Sequence, residues 1–274
     1  MPDRTAGRRA AVLGHPIEHS LSPVLHRAAW SALGLDWTYD RIDVVGADLP
    51  AFLDSLDASW VGLSLTMPLK HDVLPLLDEI DDIARATGAV NTVLLDGGRR
   101  RGTNTDVAGL VVALDERGAG RGPSVVLGAG ATARSAVAAL ARRGTTGVTA
   151  YARRPEAATD LVSTAEAVGV ALEVLPWAAA SDGLGADVVV STVVVGAADV
   201  LADAVPDSPG TLLDVVYDPW PTALAAAWSG RGGAVASGLD LLLHQAVRQV
   251  RLMTGQDGPV DLMRAALQAA ADSR

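Results

Sequence analysis

Cysteine is absent from the 274-residue chain. That removes disulfides, thiolate nucleophiles and cysteine-ligated metals, and makes an intracellular, cytoplasmic protein the expectation. Long apolar runs are missing as well. No stretch approaches the ~18 residues that cross a bilayer, and the apolar part of the opening MPDRTAGRRAAVLG is too short for a signal peptide. Positive charge is the minority sign, with 22 Lys and Arg against 32 Asp and Glu and a formal net charge of -10. A nucleic-acid binder normally turns a basic face to the phosphates, so the balance argues against that class. What is plentiful is core material: 49% of the residues are hydrophobic, which excludes disorder, and 28 Gly with 14 Pro exclude a collagen-like or low-complexity chain. The length suits about two domains.

The scarcest charged residue carries information. Of the 22 basic residues, 21 are arginines and one is a lysine, Lys70; only two asparagines occur, Asn91 and Asn104. A compositional bias toward arginine explains the trend. Arginine keeps its proton in proteins, whereas a lysine amine can be tuned to release one. Lys70 is therefore either a chance survivor or a candidate for proton transfer.

Short apolar runs alternate with helical stretches, the pattern of an α/β fold built on parallel sheet. A first strand spans 9–14. Ser22 and Pro23 read as an N-cap with proline at the first helical position, opening a helix to about Leu33. A strand near 37–44, a helix near 47–56, a strand over 60–66, an acidic helix around 78–86 and a strand over 89–95 follow. Gly97-Gly98 makes a hairpin-like turn, and Arg99 to Arg101 read as a solvated turn. A second series starts at Pro123, with strands at 124–128, 147–154, 171–176, 186–192 and 211–217. Their uninterrupted apolar character suits strands covered on both faces. Two helices, near 239–254 and 259–272, end the chain.

Three constellations can carry chemistry. Gly128-Ala129-Gly130-Ala131-Thr132-Ala133 follows a strand and opens a helix, the context in which a glycine turn binds a dinucleotide. Small residues let the backbone approach a pyrophosphate on the helix N-terminus, and Arg134 in the first turn suits a neighbouring phosphate. The next strand ends Tyr151-Ala152-Arg153-Arg154, with no acid until Glu156. Guanidinium groups there suit a ribose 2′-phosphate, which favours NADP over NAD; the alternative is a solvated arginine pair before Pro155. Second, Ser64, Thr66 and Lys70 end one strand, Asn91 lies in the next, and Asn104 and Asp106 open the following helix. Strand ends and helix starts are where α/β sites are built. Taken singly, Asn104 also fits an N-cap and Asp106 a first-turn carboxylate. Third, Ser20 and Ser22 stand beside His15 and His19. Ser22 fits a cap and Ser20 a loop residue, and the histidines show no metal-ligand spacing, so no metal is expected.

Together these segments resemble the shikimate dehydrogenase family. The resemblance runs from GHPIEHSLSPVLH (14–26) through LTMPLK (65–70), GAVNT (88–92), NTD (104–106) and GAGATAR (128–134) to YDPWPT (217–222) and GLDLLLHQA (238–246). It implies an NADP(H)-dependent oxidoreductase that reduces 3-dehydroshikimate to shikimate on the chorismate route of aromatic amino-acid biosynthesis. It also implies a substrate domain (1–105 plus 239–274), a Rossmann-type doubly wound domain (106–238), an active site in the cleft between them, and a monomer or homodimer without nucleic-acid or membrane partners. By residue, Ser20 and Ser22 would hold the substrate carboxylate, and Thr66, Asn91 and Gln245 the ring hydroxyls. Lys70 and Asp106 would be the catalytic pair, and Tyr217 would line the pocket. Gly238 would help close the nicotinamide site, with Thr192 and Val215 also at the cofactor. Ser64 counts with the substrate-binding residues, although many family members carry Asn there. The family's Asn-Arg-Thr after the second Rossmann strand reads Ala152-Arg153-Arg154 here, and its Asn-x-Thr-Ser-like loop reads Ser191-Thr192-Val193-Val194.

The chemistry suits these residues. Reduction of a ketone leaves negative charge on oxygen, which a cationic amine within hydrogen-bond reach stabilises and protonates. The competing expectations are an NAD-dependent quinate/shikimate dehydrogenase, a non-catalytic dinucleotide-binding regulator and a folate-type dehydrogenase. The Arg153-Arg154 pair, the retained Lys70 and Asp106, and the Ser20-x-Ser22 site respectively speak against them.

Overall fold

A computed structural model describes residues 6–274; the first five residues of the opening segment lie outside the described residues. The chain divides into two compact units, Met1–Thr105 with Leu243–Arg274, and Asp106–Leu242. It passes from the first to the second within helix α5 (Thr105–Glu116) and returns within α9 (Gly238–Thr254).

In the first unit the strands β1 (Ala6–Gly14), β2 (Asp36–Asp43), β3 (Trp60–Leu65), β4 (Glu79–Ile80), β5 (Thr92–Asp96) and β6 (Arg99–Thr103) form a six-stranded sheet. Its order is β2-β1-β3-β5-β6-β4. The sheet is mixed rather than parallel throughout. β1 runs parallel to β2 and β3, whereas β5 is antiparallel to both β3 and β6. Gly97 and Gly98, both at positive φ, make the turn between β5 and β6. Arg99 to Arg101 are strand rather than solvated turn. Their backbones pair with Asp96, Leu95 and Leu94, and their side chains reach outward, Arg99 to Glu79 and Arg100 to Asp54.

Helix α1 (Ser22–Ala32) begins one residue earlier than a Ser22 cap requires. Leu21 holds the cap position, no side-chain cap bond forms, and Ser22 is the first helical residue. The segment near 47–56 is a 3-10 turn followed by α2 (Leu49–Asp54). The acidic stretch near 78–86 splits into β4 and α4 (Asp82–Thr87), which Asp81 caps by accepting from the Ala84 N–H at 2.8 Å. Asn91 lies just ahead of β5 rather than inside it. Between β3 and β4 sits the short α3 (Leu69–Asp72), and α10 (Val260–Asp272) packs on α1. Leu13, Leu49, Leu63, Leu69 and Val93 are wholly buried in this unit's core, each such side chain contributing ~1.5–3 kcal/mol.

The second unit holds β7 (Ser124–Leu127), β8 (Gly147–Ala152), β9 (Ala171–Pro176), β10 (Val188–Ser191), β11 (Thr211–Asp214) and β12 (Ala234–Ser237). All pair in parallel in the order β12-β11-β10-β7-β8-β9. Every residue of β7, β10 and β11 is buried, as strands covered on both faces must be. Helices α6 (Ala131–Arg142), α7 (Thr159–Val168) and α8 (Ala223–Gly230) complete the doubly wound, Rossmann-type arrangement. The short β12 and the helices α7 and α8 add to the elements expected from the pattern.

Candidate active site

In the first unit, the loops after β1 and β3 lie side by side at the carboxyl ends of adjacent parallel strands. The Thr66 N–H donates to the Leu13 carbonyl at 2.9 Å and the His15 N–H to that of Met67 at 3.0 Å. The first loop carries Ser20 and runs into α1, which Ser22 opens; the Ser22 N–H donates to Ser20 Oγ at 3.3 Å, and Ser22 is buried. The second loop carries Thr66 and, in α3, the half-buried Lys70. The Lys70 carbonyl accepts from the Val90 N–H at 2.8 Å, which sets the backbone of Lys70 against the residue preceding Asn91.

Asn91 is held tightly. Its Oδ1 accepts from the Thr92 hydroxyl at 2.8 Å, the Thr105 N–H at 2.8 Å and the Thr105 hydroxyl at 3.1 Å. Its Nδ2 lies 3.5 Å from Oε1 of Gln245, a residue of α9. Ser64, in β3, is buried and engaged on both sides: it accepts from the Tyr39 hydroxyl at 2.6 Å and donates to Gln249 Oε1 at 2.9 Å. Ser64, Asn91 and Gln245 therefore meet in one buried polar cluster. Thr92 and Thr105, which the GAVNT and NTD motifs include without a role of their own, belong to it, and so do Tyr39 and Gln249, which no motif includes. For Gln249 a signal existed, since it stands one helical turn from Gln245 on the same face. Behind the cluster the wholly buried His26 donates from Nδ1 to the Ser22 carbonyl at 2.9 Å. Burial lowers its pKa to about 4, against opposing pushes from the Ser22 carbonyl and the Gln249 side chain. Burial drives the Tyr39 phenol up, which keeps it a donor.

In the second unit the glycine turn closes between β7 and α6. Gly128 takes φ +113°, and a Cβ there would collide with Thr192 Oγ1, whose hydroxyl donates to the Leu127 carbonyl at 2.8 Å. Gly130 occupies the cap position of α6 with no side-chain cap bond. The first-turn N–H groups of Ala131, Thr132 and Ala133 are thus open to an anion rather than satisfied by a capping side chain. A cavity of about 470 Å³ opens here, lined by Gly128, Ala129, Gly130, Arg153, Arg154 and Trp177 among others. A backbone cradle with two exposed guanidinium groups fits a dinucleotide carrying an extra phosphate. Arg134, expected beside a phosphate, is instead buried and ion-paired with Asp160 of α7 at 2.6 Å. That pairing offsets its unfavourable place in the first turn of α6.

Val215 follows β11, its N–H donating to the Ser191 carbonyl at 3.0 Å, and the Gly238 N–H donates to the Val216 carbonyl at 3.2 Å. The segment carrying Tyr217 is pinned from beneath by Asp214, which accepts from the Val216 N–H at 3.2 Å and the Thr222 hydroxyl at 2.8 Å. Thr222 in turn caps α8 by accepting from the Ala225 N–H at 3.1 Å. Burial pushes the Asp214 carboxyl above the usual range, against the hydrogen bonds it receives. Asp106 is buried in the first turn of α5 and belongs to the second unit, whereas Lys70 belongs to the first. Among the described residues no group of three or more His, Asp or Glu is placed to hold a metal ion, and no helix is long and apolar enough to cross a membrane.

Residues 12–93 match the family model of the shikimate dehydrogenase substrate binding domain, and residues 238–268 that of the shikimate 5′-dehydrogenase C-terminal domain. A shikimate dehydrogenase (NADP(+)) from Moorella thermoacetica is 37% identical over 273 residues, covering 95% of this chain and 92% of its own. The crystal structure of Mycobacterium tuberculosis shikimate dehydrogenase superposes with a TM-score of 0.90 at 42% identity, covering 96% of this chain and 99% of that one. Shikimate 5-dehydrogenase from Thermus thermophilus, in complex with NADP(H) and shikimate, gives a TM-score of 0.85 at 34% identity over 96% of this chain and 99% of that one. With relatives of this identity spanning nearly all of it, the chain belongs to the shikimate dehydrogenase family.

Proposed function

We propose that the protein is an NADP-dependent oxidoreductase that reversibly reduces 3-dehydroshikimate to shikimate in aromatic amino-acid biosynthesis. The observation that carries this reading is the likeness, over 96% of the chain, to a shikimate 5-dehydrogenase whose structure holds NADP(H) and shikimate. The cavity in which the glycine turn meets Arg153 and Arg154 supports the cofactor half independently.

In this reading the Ser20 and Ser22 hydroxyls take the substrate carboxylate. Ser20 Oγ already accepts from the Ser22 N–H, which leaves its own proton to give to the anion. Thr66, Asn91 and Gln245 take the ring hydroxyls, Ser64 supports them from inside the core, and Tyr217 lines the pocket. NADPH, when bound, supplies the hydride. Lys70 stabilises the oxygen charge and holds the proton at Nζ, while the Asp106 carboxylate orients the amine. The turn from Gly128 to Ala133 takes the pyrophosphate, Arg153 and Arg154 the 2′-phosphate, and Thr192, Val215 and Gly238 the nicotinamide end. No acid stands beside the arginines before Glu156, which disfavours an NAD-dependent quinate dehydrogenase. The protein works in the cytoplasm as a monomer or homodimer, without nucleic-acid or membrane partners.

The test mixes protein, NADPH and 3-dehydroshikimate and follows the nicotinamide absorbance, with NADH in place of NADPH and 3-dehydroquinate in place of 3-dehydroshikimate in parallel arms. Consumption confined to NADPH with 3-dehydroshikimate is expected. Preferred use of NADH with the quinate couple would overturn the assignment.

A further inference from the structure

The hydrogen bonds behind Asn91 run in one direction. The Tyr39 hydroxyl donates to Ser64 Oγ at 2.6 Å, and Ser64 donates to Gln249 Oε1 at 2.9 Å. Gln249 Nε2 donates to Thr92 Oγ1 at 2.9 Å, and Thr92 donates to Asn91 Oδ1 at 2.8 Å. Each hydroxyl has one proton to give and the Gln249 amide sets the direction: Ser64 must donate to its oxygen, which leaves Tyr39 to donate to Ser64, and Thr92 must accept from its nitrogen, which leaves the Thr92 proton for Asn91. The phenol is a secure origin: it is wholly buried and has no charged form to adopt near neutral pH.

The chain and the Thr105 backbone N–H together decide which way the Asn91 amide faces. Its oxygen receives the Thr92 and Thr105 donors, and its nitrogen is turned to the side of Gln245. Flipping that amide would set an N–H group against the Thr105 backbone N–H, which cannot turn away, and would strand the Thr92 proton aimed at it, a buried mismatch that is costly.

We propose that Tyr39, Ser64, Gln249 and Thr92 form a relay that positions Asn91, so that the site presents an N–H donor, and not a carbonyl, to the substrate ring. The proposal rests on the reading of Asn91 as a substrate residue. It makes the site select a ring oxygen able to accept a hydrogen bond at that position. It also gives Ser64 an indirect role: its hydroxyl is spent on Tyr39 and Gln249, and it acts on the substrate through Asn91. Tyr39, Gln249 and Thr92 are positioning residues in this scheme.

Steady-state kinetics of the full chain with shikimate and NADP+ test it, using Thr92→Val, Thr92→Ser and Tyr39→Phe beside the wild type. Thr92→Val keeps the shape and removes the proton aimed at Asn91, and Thr92→Ser keeps that proton. Thr92→Val should raise KM for shikimate about 5- to 10-fold while KM for NADP+ stays unchanged, and Thr92→Ser should stay near wild type. Tyr39→Phe should raise the same constant about 2- to 5-fold, and it carries the test alone if Thr92→Val does not fold. An unchanged KM for shikimate in the folded variants overturns the relay. Equal losses for shikimate and NADP+, tracking a fall in melting temperature, also overturn it by leaving only a structural role. Absence of shikimate oxidation in the wild type itself would instead sink the functional reading on which the relay stands.

Discussion

The imidazole of His26 lies flat on the ring of Tyr39, with 3.9 Å between centroids and 11° between planes. The stack joins the first turn of α1, where His26 holds the Ser22 carbonyl, to the relay that starts at the Tyr39 hydroxyl. It also makes His26 a neutral ring in a dry place. Its pKa falls from 6.5 to about 4 on burial. The unfolded chain therefore takes up a proton at a higher pH than the native one. The contribution is complete above pH 6.5 and is lost progressively as pH falls to about 4, amounting to roughly 3 kcal/mol. Urea unfolding between pH 4 and 7 should show this loss in the wild type and a flatter profile in His26→Phe. Parallel profiles would mean that another group controls the acid limb.

Lysine at position 70 should not be replaceable by arginine. The amine is a compact donor on a flexible stem, whereas guanidinium is planar and keeps its proton. Lys70→Ala and Lys70→Arg should each lower kcat for 3-dehydroshikimate reduction about a hundredfold or more, with a smaller change in KM. Retention of full kcat in Lys70→Arg would reduce Lys70 to a source of charge.

Arg153 stands exposed at the end of β8 on the rim of the glycine-turn cavity. If it meets a 2′-phosphate, Arg153→Ala removes a charge-assisted contact that NADH never makes. KM for NADPH should rise about 10- to 100-fold and KM for NADH less than about twofold. Equal effects on the two cofactors would move the phosphate contact elsewhere.

Sequence patterning reaches some parts of this molecule and not others, for identifiable reasons. The strand, glycine turn and helix from Ser124 to Arg142 stand out because consecutive apolar residues, then Gly128 and Gly130, then an alanine-rich run each state one local preference. The strand from Arg99 to Thr103 is masked by its charges, which pair with neighbouring Glu79 and Asp54. The four residues of β12, only Ala236 of them fully buried, are too few for a period to emerge. Among site residues, Lys70 and Asn91 are conspicuous as rarities, while Ser64 and Gln249 meet across 185 positions. No local pattern encodes that distance, and Arg134 misleads because its partner Asp160 lies on a helix the pattern did not foretell.

Two glycines separate function from folding. Around Gly130 no heavy atom comes within 4 Å of where a Cβ would stand, and the residue faces the cavity at an ordinary negative φ. At Gly238 the added carbon would overlap the carbonyl of Val215, a backbone atom that cannot swing aside, and would press on Tyr217 at 3.1 Å. Gly130→Ala should therefore leave the melting temperature unchanged or slightly raised, because alanine restricts the unfolded chain. The methyl group would nevertheless occupy space the pyrophosphate needs, weakening NADP+ binding about tenfold or more. Gly238→Ala should cost ~1–3 kcal/mol of stability through overpacking at the start of α9. Thermal unfolding with calorimetric NADP+ titration measures both properties on the same samples. A Gly130→Ala protein that binds NADP+ as tightly as wild type would remove the glycine turn from the cofactor site, because the one change it makes is a methyl group in that cavity.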